Sequence, residues 1–169
     1  MSRVAVTGIG AVTPLGLNAP STWRAALAGE SGINWISAFD VEGLPIRIAA
    51  EVKDFDPTGV VSPKEARKLE RNVLFAVAAS REALDDAGLT GFDPSRVGVI
   101  FGSAMGGVIG VLEQQDTLRD RGPERVSPHF LPNVLVDTAS GQIAISLGIK
   151  GPNYAVVSAC ATGSHAIGE

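Results

Sequence analysis

Apolar positions along the chain fall into two patterns: short, nearly continuous β-branched runs, and longer stretches in which small apolar residues recur every three or four positions. The short runs lie at 3–10 (RVAVTGIG), 96–102 (RVGVIFG) and 154–158 (YAVVS), and each reads as a strand buried on both faces. The clearest helix is predicted over 62–88. Ser62 caps it, Pro63 takes the first helical position, Glu65 completes a capping box, and Gly88 supplies a left-handed stop. Leu69, Val73, Ala76, Val77, Ser80, Ala83, Leu84 and Ala87 form its narrow, small-residue stripe. Further helices are predicted over 21–28, capped by Ser21, over 108–121, over 134–147, and from Ala161 onward. Prolines and glycines mark 32–59 as an irregular excursion with an edge strand near 46–52, and 126–133 (VSPHFLPN) as a proline-bracketed loop. The order strand, helix, helix, strand, helix, helix, strand, helix predicts an α/β architecture with parallel strand pairs and a site at a strand's carboxyl end.

Composition narrows this picture. With 169 residues and 45% hydrophobic content, the chain is long enough for a real core, and one domain is the default expectation. Its single cysteine forms no internal disulfide, and Met1 leads straight into a strand-like run, so a cytoplasmic protein is expected. The apolar runs are all broken well short of about 18 residues, so no membrane helix is predicted. A net charge of −4 argues against nucleic acid as a general partner. The glycines do not complete a nucleotide motif. Gly8 and Gly10 match the first two positions of GxGxxG, but Thr13 stands at the third, and GSAMGGVIG after residue 101 lacks the GK[ST] ending of a phosphate loop.

Two local features carry candidate chemistry. Lys64, Arg67, Lys68 and Arg71 are spaced three, four and seven apart, which puts them on one helical face, a positive patch in an acidic protein. It is either an ordinary solvated face or a docking surface for an acidic partner. Cys160 sits where the run at 154–158 turns into a small-residue helix. A sharp strand-to-helix turn lifts a side chain out of the sheet beside free helical N–H groups, where a thiolate is stabilised. The alternative is a buried structural cysteine. His165 lies five residues on, about 140° around the same helix, and so faces away from the thiol, as a packing or hydrogen-bonding residue. No spacing argument brings His129 to Cys160, and one cysteine with two distant histidines makes no metal motif.

The segment GPNYAVVSACATGSHAIG resembles the nucleophile region of β-ketoacyl-acyl-carrier-protein synthases, most nearly the elongating type II enzymes. RVAVTGIGAVTPLG, STWRAALAGESGI, SPKEARKLER, EALDDAGL, VGVIFGSAMGGV and GPERVSPHFLPN continue the likeness in order, so it covers essentially the whole chain. The resemblance implies a thiolase-like fold, a layered αβαβα architecture of two similar halves, of which residues 1–169 correspond to the first and stop inside the nucleophile helix. A partial sequence is therefore expected. The resemblance makes Cys160 the residue that takes an acyl chain from acyl carrier protein as a thioester, before decarboxylative condensation with malonyl-acyl carrier protein. Two histidines and a lysine from the second half assist that condensation, and neither His129 nor His165 aligns with them. No cofactor is implied. Lys64, Arg67 and Lys68 match positions that receive the acidic carrier protein, with Arg125 beside them, although Glu124 replaces a basic residue often found there. Met105 matches the foot of the acyl pocket, or plain core packing, and Phe130 an aromatic near the pocket and dimer contact, or a buried structural residue. A homodimer is implied. A polyketide-type ketosynthase, and a noncatalytic fragment that only binds acyl carrier protein or a complementary half, are the competing readings.

Overall fold

The computed structural model describes residues 3–169, which divide into two compact units. The first unit runs to Asp56 and takes up Ala78–Leu89; the second comprises Pro57–Val77 and Thr90–Glu169.

In the first unit, helix α1 spans Ala19–Leu27. Its cap is Asn18, not Ser21 as the sequence suggests. The Asn18 side chain accepts from the Ser21 N–H at 2.8 Å while the Ser21 hydroxyl receives the Asn18 N–H at 3.3 Å, so Ser21 is the returning partner of a capping box. The excursion after α1 holds a short antiparallel pair, β1 (Ile33–Trp35) and β2 (Ile48–Ala50), with Ile33 opposite Ala50. The edge strand predicted near 46–52 is β2. The expected strand over 3–10 joins no sheet among the described residues, and Val4 is 95% exposed. Side chains take the place of a ladder: the Ile9 N–H donates to Asp86 and the Ala11 N–H to Glu82, each at 2.9 Å. Gly10 lies so close to the helix carrying those carboxylates that a Cβ there would fall on the Ala79 carbonyl oxygen.

The helix predicted over 62–88 is two helices, α2 (Pro63–Ala66) and α3 (Arg71–Asp86). The predicted start is correct. Ser62 caps α2, Glu65 completes the box, and Gly88 adopts φ +61 past the end of α3. The break between α2 and α3 contains neither glycine nor proline, so pattern alone does not signal it. There the Asn133 side-chain amide donates to the Lys68 carbonyl, and Leu69 packs against the core.

In the second unit, β3 (Val99–Ile100) and β4 (Asn153–Tyr154) pair in parallel, Val99 opposite Asn153 and Ile100 opposite Tyr154. Between them the chain runs through α4 (Val108–Arg121), α5 (Phe130–Val134) and α6 (Thr138–Leu147). The expected loop at 126–133 therefore holds the start of a short helix, and the helix expected from 134 begins at Thr138. Past β4, a 3-10 turn at Ala159–Ala161 leads into α7 (Thr162–Gly168). Val73, Ala76 and Val77 pack with Val99, Ala139 and Ile143 as the core. Among the described residues, no helix is long and apolar enough to cross a membrane.

Val77 is fully buried at the centre of that core. Val77→Ala is expected to cost about 2 kcal/mol, from lost burial and a residual void. The shift of the urea midpoint at unchanged slope checks this.

Candidate active site

Cys160 is an exposed, free thiol in the 3-10 turn between β4 and α7. The residue before it, Ala159, has φ +51, a left-handed conformation that a residue with a Cβ adopts at a cost of about 1–3 kcal/mol. Such backbone persists only where its surroundings hold it. Here Ser158 commits three polar groups to the segment downstream of the thiol. Its carbonyl accepts from the Ala161 N–H at 3.0 Å, its N–H donates to Thr162 Oγ1 at 2.9 Å, and its Oγ lies 2.7 Å from His165 Nδ1. Thr162 is 5% exposed. Gly102, following β3, makes room for it: a Cβ on Gly102 would collide with Thr162 Cγ2 and the Val156 carbonyl oxygen.

The sequence-predicted turn at Cys160 is thus present, and His165 is a hydrogen-bonding residue. The paired strand is shorter than expected, ending at Tyr154, because Ser158 already takes part in the turn. Ser158, Thr162 and Gly102 escaped sequence reasoning. Small polar residues and glycines are ubiquitous at turns, and only the contacts single these out.

Arg67, Lys68 and Phe130 come together around a cavity of about 330 Å³, along with Glu70, His129 and Asn133. Lys64, in α2, and Arg125, ending a 3-10 turn at Pro123–Arg125, lie outside that lining. Arg71 also lines the cavity, and its guanidinium stacks over the Phe75 ring at 5.0 Å. Glu70 brings negative charge to this cationic wall. Its carboxyl is held above the usual carboxylate range, first by partial removal from water and then by the neighbouring charge of Glu113. It sits against a glycine-lined stretch of α4, where a Cβ on Gly110 would meet its carboxylate oxygen. Glu65 is shifted the other way, below its usual range, by bonds from the Ser62 hydroxyl and N–H. Met105 is 69% exposed in the turn between β3 and α4.

The chain is 44% identical over 169 residues to 3-oxoacyl-[acyl-carrier-protein] synthase 2 of Coxiella burnetii (strain RSA 493 / Nine Mile phase I), a match covering 99% of this chain and 41% of that protein. It superposes with a TM-score of 0.82 on the crystal structure of a β-ketoacyl synthase from Burkholderia phymatum STM815, at 32% identity, covering 99% of this chain and 42% of that one. AntDE:AntF, a type II polyketide acyl-carrier protein in complex with its hexaketide-bound ketosynthase, shares the fold, with a TM-score of 0.78 at 21% identity over 97% of this chain and 44% of that one. The chain thus spans about two fifths of the length of these relatives, and its mixed helix and strand architecture is the thiolase-like one of ketosynthases. Residues 1–169 match the family model of the β-ketoacyl synthase N-terminal domain from end to end, and the chain belongs to that family.

Proposed function

We propose that Cys160 is the acyl acceptor of a 3-oxoacyl-acyl-carrier-protein synthase of fatty acid biosynthesis. The observation that carries this reading is the strained turn at Ala159, which leaves an exposed thiol between β4 and α7. Accepting the chain requires a nucleophile at such a turn and backbone donors for the developing oxyanion. The Cys160 sulfur attacks the thioester carbonyl of acyl-acyl carrier protein, the bond to the donor sulfur breaks, and the carrier leaves as its thiol. In the longer protein, malonyl-acyl carrier protein then loses CO2, and the resulting carbanion attacks the Cys160 thioester; the acyl–sulfur bond breaks, Cys160 leaves as its thiolate, and the chain, two carbons longer, remains on the carrier. The two histidines and the lysine that the family uses for that step fall outside residues 1–169, so condensation belongs to the longer protein and not to this chain alone.

Lys64, Arg67, Lys68 and Arg125 form the docking face for the acidic carrier protein. The cationic wall of the cavity beside Phe130 supports this role, as does the relative solved with its acyl-carrier protein. Met105 and Phe130 bound the acyl chain, and the longer protein is a homodimer. A polyketide-type ketosynthase is the second reading, favoured by that same structural neighbour, whereas the 44% identity to a 3-oxoacyl synthase favours fatty acid synthesis.

Incubated with acyl-acyl carrier protein, the chain is expected to gain one acyl mass, and the Cys160→Ala variant none. An unmodified wild-type chain in intact-mass spectra would leave only a carrier-binding role. For docking, reversing Lys64, Arg67 and Lys68 to glutamate is expected to weaken carrier-protein binding at least tenfold at low salt and to flatten its salt dependence. Affinity unchanged from wild type would remove the face.

Glu70 gives a pH signature. Because its folded-state pKa is raised, its contribution to stability is complete below the ordinary carboxylate range and is lost as pH rises through the raised value. Across that window the wild-type Tm is expected to fall relative to that of Glu70→Gln, which carries no charge. Parallel Tm profiles would show that Glu70 is fully solvated.

A further inference from the structure

We infer that Ser158 and His165 form a brace that sets the orientation of the Cys160 thiol for acyl transfer. The inference rests on Cys160 as acyl acceptor, and it assigns positioning roles to two residues that do not touch the reacting atoms.

Ser158 lies two residues before Cys160 and His165 five after, so the 2.7 Å contact between Ser158 Oγ and His165 Nδ1 closes a loop around the thiol. Within the loop stands Ala159 at φ +51, which relaxes toward an ordinary backbone conformation unless held at both ends. The Ser158 backbone supplies one end, through the Ala161 N–H and Thr162 Oγ1. Thr162 is immobilised by burial, and Gly102 leaves it room. The Ser158 side chain supplies the other end, reaching past the first turn of α7 to His165. A hydroxyl and an imidazole bond to each other whichever is the donor, so the brace holds in either neutral tautomer.

The bond also accounts for His165, an exposed histidine with no place in the proposed acyl-transfer chemistry. One ring nitrogen is committed to Ser158. Relaxation of Ala159 would swing Cys160 away from the line of attack, and a misplacement of about 1 Å costs on the order of 100-fold in an oriented reaction. Simple alkylation of a thiol by a small reagent lacks that demand.

The test compares two reactions of Cys160 in the 169-residue chain. One is acyl transfer from an acyl-N-acetylcysteamine thioester, in which the Cys160 sulfur displaces N-acetylcysteamine as its thiol. The other is alkylation by iodoacetamide. Both are followed by intact mass. Ser158→Ala and His165→Ala are expected to slow acyl transfer at least tenfold and alkylation less than twofold, with no further loss in the double variant, since the two residues act as one unit. Ser158→Thr keeps the hydroxyl, and His165→Asn places a polar atom near the Nδ1 position; both are expected to recover most of the rate. Acyl transfer at the wild-type rate in the alanine variants would overturn the brace alone. So would equal slowing of the two reactions, or no recovery in the conservative variants. Absence of any wild-type acyl adduct on Cys160 would overturn the acceptor reading, and the brace with it.

Discussion

The parallel register that sets Val99 opposite Asn153 and Ile100 opposite Tyr154 decides where the rest of the second unit can go. Only two residue pairs form the named strands, but the bonding continues on both sides: the Gly151 N–H reaches the Val97 carbonyl, the Val99 N–H that of Pro152, and the Phe101 N–H that of Tyr154. A one-residue slip would turn Val99 out of the core it shares with Val73, Val77 and Ile143. It would also move Gly102 off Thr162, whose methyl occupies the space a Cβ would need. Packing of the core and geometry of the thiol turn thus depend on one alignment. The Asn153 side-chain amide reinforces it by donating to the Ser140 carbonyl at 2.9 Å, which ties β4 to the buried start of α6.

Charge is distributed on a similar economy. In α2 the Ser62 hydroxyl and N–H hold the Glu65 carboxylate in its charged form, and that charge faces Lys68. Glu70, further along, is drawn in against Gly110 of α4 and the capping Gly107, and its carboxyl is held above the usual range. The two carboxylates interleaved with the basic residues are therefore shifted in opposite directions, Glu65 toward its charged form and Glu70 away from it. Net charge describes the whole chain and says little about such a face.

Legibility in the sequence followed the range of the interactions. Caps and stops that depend on residues three or four apart were readable, as at Ser62, Glu65 and Gly88. α4 spans the expected 108–121, and the parallel pairing followed from the alternation of strands and helices. At Ser21 the range was right but the roles were exchanged, since Asn18 three residues before it is the cap, and larger failures came where a distant group intervened. The gap between α2 and α3 involves Asn133, 65 residues from Lys68, and the segment near Ile9 is satisfied by Asp86, 77 residues away. The thiol turn shows both cases at once. Cys160 stood out as the only cysteine at a pattern change, whereas Ser158 and Thr162 are ordinary in type and acquire meaning only from what they touch.

The two histidines show what this chain contributes and what it leaves to other residues. On the proposed reading, holding an acyl group takes a positioned sulfur and backbone donors, and Ser158, Ala159 and Thr162 supply the positioning. Making a carbon–carbon bond takes more: a decarboxylating partner must be bound and charge must be stabilised as it develops on its thioester oxygen. His165 directs a ring nitrogen to Ser158, and His129 lines the cavity with Arg67 and Lys68 while its backbone N–H donates to Ser127 Oγ. The His165 ring is thus placed by Ser158, and the His129 backbone by Ser127. On the proposed reading, the division between holding and joining therefore coincides with a division of the polypeptide, with the thiol and its turn in the N-terminal domain and the groups that handle the malonyl unit beyond residue 169.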